Sequence, residues 1–191
     1  LDAIEAARQT NGASGLRHEI AHTNYVSDAD LPRFASLGAI AEMSPKMWFP
    51  NPATATQIAL LGGDRVAKNH RTADLLAAGA ELTYASDWPA AAPDANPWTG
   101  LSGMLTRQNA DPNYPGALSP DQAITLEQAL PIFTVNGARS LGMGAESGSL
   151  SVGKWADFIV LNKPLFDLPA EEIAGVEVEK TIWKGLIVHA I

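Results

Sequence analysis

Residues 16–23 read Leu-Arg-His-Glu-Ile-Ala-His-Thr. The rest of the chain reads differently according to whether they form a strand or a helix. As a strand, the alternation places His18, Ile20 and His22 on one face and Arg17, Glu19 and Ala21 on the other. As a helix, His18-Glu19-x-x-His22 would carry two imidazoles one turn apart with a glutamate beside them, the zinc-protease pattern. The surroundings favour the strand. The turn-rich stretch Asn11-Gly12-Ala13-Ser14-Gly15 precedes it, Asn24 follows, Tyr25 and Asp28 stand where the extended protease pattern needs Gly and His, and a third ligand would have to be something like Glu42.

Working outward, strand-like and helix-like segments alternate. Residues 27–38 predict a helix with Asp28 or Asp30 at its start, Pro32 in its first turn and an apolar face of Leu31, Phe34, Ala35 and Leu37 or Gly38. Residues 39–45 predict a short strand stopped by Pro45, then a Pro- and Asn-rich loop. Arg71–Ala78 predicts a helix ended by Gly79, and 82–87 a strand running into the rigid loop 87–98. Such alternation argues for βα units around a parallel sheet. Further on, Thr125 and Gln128 have capping-box spacing, and Pro131 predicts a kink or a later helix start. Residues 148–162 predict two short strands turning at Gly153-Lys154, and 176–190 a hairpin turning at Lys184-Gly185. The tail is therefore expected to form a small antiparallel sheet. Leu1 opens the chain inside a helical pattern, which suggests that the start was removed or that this is the rear part of a longer protein.

Composition narrows the chemistry. The 191 residues carry a net charge of −8, which disfavours nucleic-acid and anionic-lipid partners. No apolar run is long enough to span a bilayer, no secretory leader is visible, and a cytoplasmic location is expected. The absence of cysteine removes disulfides, thiolate zinc sites, iron–sulfur clusters and a cysteine nucleophile. A metal site must use carboxylates and the four histidines, His18, His22, His70 and His189.

Two positions stand out. Asp87 ends the apolar run Leu82–Ala85 in Ser86-Asp87-Trp88-Pro89. A carboxylate there needs a metal, a cation or several hydrogen bonds, although a simple turn cap before Pro is the ordinary alternative. His22 at the end of an earlier strand would suit a metal shared with it. Either histidine could equally be an ordinary satisfied one. His70 reads as an exposed loop histidine before a helix, and His189 as an ordinary terminal-strand histidine. Trp48, Trp88 and Trp98 could line a pocket, though such aromatics more often pack a loop onto a core.

The stretches RHEIAH, SDWP, TVNGARSLG and GSLSVGKWADFIVLN together resemble the amidohydrolase superfamily, in the branch called amidohydrolase family 3. The resemblance runs from about Leu16 to the C-terminus. It implies an α/β fold: about strands 6–8 of a (β/α)8 TIM-like barrel over residues 1–147, and antiparallel β-sandwich strands over 148–191. It implies a metal-dependent hydrolase that uses activated water against amide or other C–N bonds of a small molecule. His22 and Asp87 would be metal ligands, zinc being the expected divalent ion, and Asp87 also the catalytic base. Ala21 stands where the family usually has Glu, and the family's other ligands lie upstream of the matched region. The resemblance therefore implies a C-terminal portion that binds metal weakly and either self-associates or joins a missing N-terminal half. An inert remnant is the competing expectation.

Overall fold

The computed structural model describes residues 1–12, 15–90, 92 and 94–191. Ala13 and Ser14, in the expected turn 11–15, and Ala91 and Pro93, in the expected loop 87–98, lie outside the described residues. The first half builds a three-stranded parallel sheet in the order β1 (Glu19–Ile20), β2 (Ile40–Met43), β3 (Glu81–Tyr84). Helix α1 (Asp2–Asn11) precedes it, α2 (Leu31–Leu37) joins β1 to β2, and α3 (Pro52–Leu61), α4 (Gly63–Ala67) and α5 (Thr72–Ala77) join β2 to β3. After β3 come α6 (Pro97–Thr106), α7 (Leu126–Phe133) and α8 (Val135–Ser140). A separate antiparallel sheet follows, β4 (Phe158–Leu161), β5 (Val178–Trp183) and β6 (Leu186–Ala190). Among the described residues no helix is long and apolar enough to cross a membrane.

Register sorts the parallel sheet into two faces. Glu19, Ile40 and Glu81 are paired in one row, Glu42 and Thr83 in another, and all five point the same way. The opposite face carries Ile20, Ala41, Leu82, Met43 and Tyr84, and these join the core. Phe34 of α2, Leu75 of α5, Leu101 and Met104 of α6, and Ala129 and Ile132 of α7 pack with them. Close approach decides two residues of α6. A Cβ at Gly103 would lie 1.9 Å from a Phe49 ring carbon, and one at Gly100 would lie 2.6 Å from Tyr84. Tyr84 in turn stacks on Phe133 at 4.1 Å. Burial raises the Tyr84 phenol to about 12.

The expected helix starts and stops are largely where the caps put them. Gly38, with φ +55°, ends α2, and Pro32 sits in its first turn. Thr125 and Gln128 make both bonds of the capping box. Pro131 lies inside α7 instead of delaying it, and the helix breaks three residues later, at Thr134, before α8. The hairpin turns at Lys184 and Gly185, with φ +51° and +78°, the two left-handed residues a two-residue turn requires.

Other expectations need correction. The strand expected over 16–23 has only Glu19–Ile20 in regular pairing, because His22 and Thr23 turn into the left-handed region. Residues 148–162 yield one strand, β4, not two; Lys154 N instead bonds Ser151 O and Trp155 N bonds Glu146 O, a turn rather than a ladder. The loop after Pro45 holds helices: Asn51 caps α3 by accepting from Thr54 N at 3.0 Å. Asn96 likewise starts α6 from within the expected loop.

Candidate functional site

The short β1 is followed by a turn in which His22, Thr23 and Tyr25 all have positive φ. Such a run is costly for residues with a Cβ, and side chains from elsewhere hold it. Thr23 Oγ1 donates to Ile20 O at 2.8 Å and to Glu42 O at 3.0 Å. Asn69 Oδ1 accepts from Tyr25 N at 3.3 Å and from His70 N at 3.0 Å. The His70 imidazole lies against the backbone of His22, and its Nδ1 is buried with no partner among the described residues.

His70 thus corrects the expectation of an exposed loop histidine. It is 2% exposed, packed edge-on against Trp48, whose other neighbour is the Arg107 guanidinium 4.3 Å from the ring centre. Burial and then the nearby Arg107 charge push the His70 imidazole down to about 3, and it is neutral in the fold. Burial likewise lowers Arg107 to about 10, while its Nε donates to Leu118 O and its Nη1 to His70 O.

His22 and Asp87 come together. His22 Nε2 lies 3.8 Å from Asp87 Oδ1. They stand beyond the C-terminal ends of β1 and β3, with β2 between those strands, and Asp87 also has positive φ, +56°. Behind His22, its Nδ1 lies 2.8 Å from Ser44 Oγ, and Ser44 Oγ donates to Glu42 Oε1 at 2.6 Å. Glu42 Oε2 accepts from His22 N at 3.0 Å. Glu42 and Ser44 are both buried. The donor chemistry suits a divalent cation: a partly exposed imidazole nitrogen and a carboxylate face one another, backed by a hydrogen-bonded inner shell. The set is partial, since among the described residues no group of three or more His, Asp or Glu side chains could hold a metal.

The remaining sequence-marked residues are elsewhere. His18 lies outside helical structure, 3.5 Å from an Arg8 nitrogen through Nδ1, and Glu19 accepts from Thr83 and Ser140. The zinc-protease alternative fails here, because its two histidines do not share a helix turn. His189 is exposed on β6. Trp48 packs in the core, Trp98 packs partly against it, and Trp88 is exposed. Sequence reasoning missed Ser44, the bonding of Glu42 to His22 and the burial of His70. A carboxylate inside the four-residue run Ile40-Ala41-Glu42-Met43 was the one available signal for the first two.

Comparison with known proteins gives this geometry its context. The profile described as "Amidohydrolase family" matches residues 1–189. This chain belongs to the amidohydrolase family. The N-substituted formamide deformylase of Arthrobacter pascens is 30% identical over a match that covers 98% of this chain and 33% of its own length. The protein LONG AFTER FAR-RED 3 of Arabidopsis thaliana is 29% identical, with 92% of this chain and 29% of its own length covered. The chain therefore spans about a third of the length of the curated relatives it matches. Among solved structures, an amidohydrolase from Thermotoga maritima superposes with a TM-score of 0.66 at 20% identity, over 99% of this chain and 40% of that one. An adenosine deaminase from Xanthomonas campestris, solved with bound zinc, gives 0.63 at 18% identity over 90% and 37%. These amidohydrolase likenesses show the α/β fold.

Proposed function

We propose that this chain supplies the last three strands, over residues 1–147, of a (β/α)8 amidohydrolase barrel, and with 148–191 the strands of a companion sandwich. In this reading it serves a metal-dependent hydrolase of amide or other C–N bonds in a small molecule. The observation that carries the reading is the 3.8 Å approach of His22 Nε2 to Asp87 Oδ1 beyond the ends of β1 and β3. Parallel barrels place their chemistry at those ends. The zinc named for the Xanthomonas campestris relative supports a divalent ion, with zinc as first choice.

His22 and Asp87 would hold that ion. When bound, a divalent ion acidifies water and polarises a carbonyl. Asp87 orients the attacking water and accepts its proton, and its partial exposure lets the proton pass on to the leaving amine. His22 would offer an imidazole nitrogen lone pair to the ion. The exposed apolar sheet β4–β6 would be covered by the rest of the barrel protein or by a second copy.

A second reading, an inert portion with vestigial ligands, is favoured by the partial donor set. Zinc titration followed by calorimetry separates the two. Binding that His22→Ala and Asp87→Asn each remove supports the hydrolase; no binding by the chain and unchanged turnover of the intact protein carrying Asp87→Asn support the inert reading.

A further inference from the structure

Serine has one hydroxyl proton, and at Ser44 the structure shows where it goes. Ser44 Oγ donates to Glu42 Oε1 at 2.6 Å, and an ionised carboxylate can only accept. The short Ser44 Oγ contact with His22 Nδ1, at 2.8 Å, must then be made with the imidazole as donor. The same Glu42 accepts from His22 N through its other oxygen, at 3.0 Å. One buried carboxylate therefore grips His22 twice, directly at the backbone and through Ser44 at the ring.

We propose that Glu42 and Ser44 are positioning residues that lock His22 with its proton on Nδ1, which leaves the Nε2 lone pair facing Asp87. This rests on the proposed role of His22 in holding a metal, and it adds the reason that role is available. In an unconstrained imidazole either nitrogen can carry the proton, and a proton on Nε2 would turn toward the Asp87 carboxylate and close the position to a cation. The lock sets two electron-pair donors against each other at 3.8 Å with no proton between them. A cation shared by both relieves that repulsion.

The test reads the tautomer on the metal-free chain, by long-range proton–nitrogen correlation of the four histidine rings at mildly alkaline pH. In the unsubstituted chain the His22 ring is expected in the Nδ1–H form. Ser44→Ala is expected to convert it to a mixture dominated by Nε2–H. Glu42→Ala gives a separate readout: with both carboxylate oxygens gone, the His22 ring is expected to become a mixture of forms and the His22 backbone amide, now without its acceptor, to exchange faster with solvent. A His22 ring in the Nε2–H form in the unsubstituted chain, or an unchanged ring form in folded Ser44→Ala, overturns the proposal. Protected exchange at His22 N in folded Glu42→Ala overturns the backbone half of it. Because no metal is present, these results stand apart from the zinc titration. If the lock is confirmed and zinc does not bind this chain, the lock stands, and the hydrolase reading is decided by turnover of the intact protein carrying Asp87→Asn. Where zinc does bind, Ser44→Ala is expected to weaken it about 10- to 100-fold, as loss of an outer partner does.

Discussion

The two sheets of this molecule are built from similar apolar stretches and end in opposite environments. Every residue of β2 is buried, including Glu42, whereas every residue of β6 is exposed. In the parallel sheet, one face meets helices and the other is lined with carboxylates and Thr83. In the antiparallel sheet, Phe158, Val160, Leu186 and Val188 remain open to solvent, and the hairpin is held locally by its turn, with the Lys184 ammonium near the Trp155 and Trp183 rings. The difference teaches that strand-forming sequence fixes pairing, while burial is settled by what lies above the sheet. The proposed site lies at the sheet whose surroundings are complete enough to hold a turn in a strained shape.

That contrast can be attacked by substitution. The largest effect is expected at the end of the parallel sheet. In the intact protein, Asp87→Asn should lower turnover by about 10²- to 10⁴-fold, the usual share of a positioned acid–base group. Val188→Thr, on the exposed sheet, should leave turnover unchanged; steady-state kinetics on both variants checks the pair. Stability should divide the same way. Leu82→Ala empties a fully buried site and should cost about 2–5 kcal/mol, against about 0.5 kcal/mol or less for Val188→Thr, as urea unfolding will show.

A third difference depends on pH. His70 is held neutral, at about 3 in the fold against 6.5 as its ordinary value. The unfolded chain therefore takes up a proton below 6.5 that the folded chain refuses. This contribution is whole above pH 6.5 and is lost as pH falls toward 3, at up to about 1.4 kcal/mol per pH unit. His70→Gln should flatten that part of the stability–pH curve, measured by denaturant midpoints from pH 7 to 4. A smaller effect than at Leu82 is expected at the hairpin turn. Gly185→Ala meets open space but keeps φ +78°, and should cost about 1 kcal/mol, confined to amide exchange in β5 and β6.

Much of this was legible in the sequence wherever a local signal coincided with the structure. Pro32 and Gly38 bracket α2, Thr125 and Gln128 open α7, and Lys184-Gly185 makes its turn, all because neighbours in sequence decide those features. Residues 52–61 and 97–106 hid their helices. The first shows no clear apolar stripe, and the second contains Gly100 and Gly103, which make sense only beside Tyr84 and Phe49. His70 misled for the same reason in reverse. Its neighbours Lys68, Asn69 and Arg71 are polar, and Trp48 and Arg107, distant in sequence, pack against it. His22 and Asp87 were both marked at strand ends. The bonding of serine and glutamate behind His22 was not, since a hydrogen-bond relay between two strands leaves no spacing rule on either one.

His22 and Asp87 share a backbone shape that only glycine adopts without cost. Glycine at either position would relax the fold and delete a proposed metal ligand in one step. Any search that ranks variants of this chain by thermal resistance will therefore be drawn to the two positions it must leave alone. A gain in melting temperature at residue 22 or 87 should be taken as a warning that the proposed site has been traded for its scaffold.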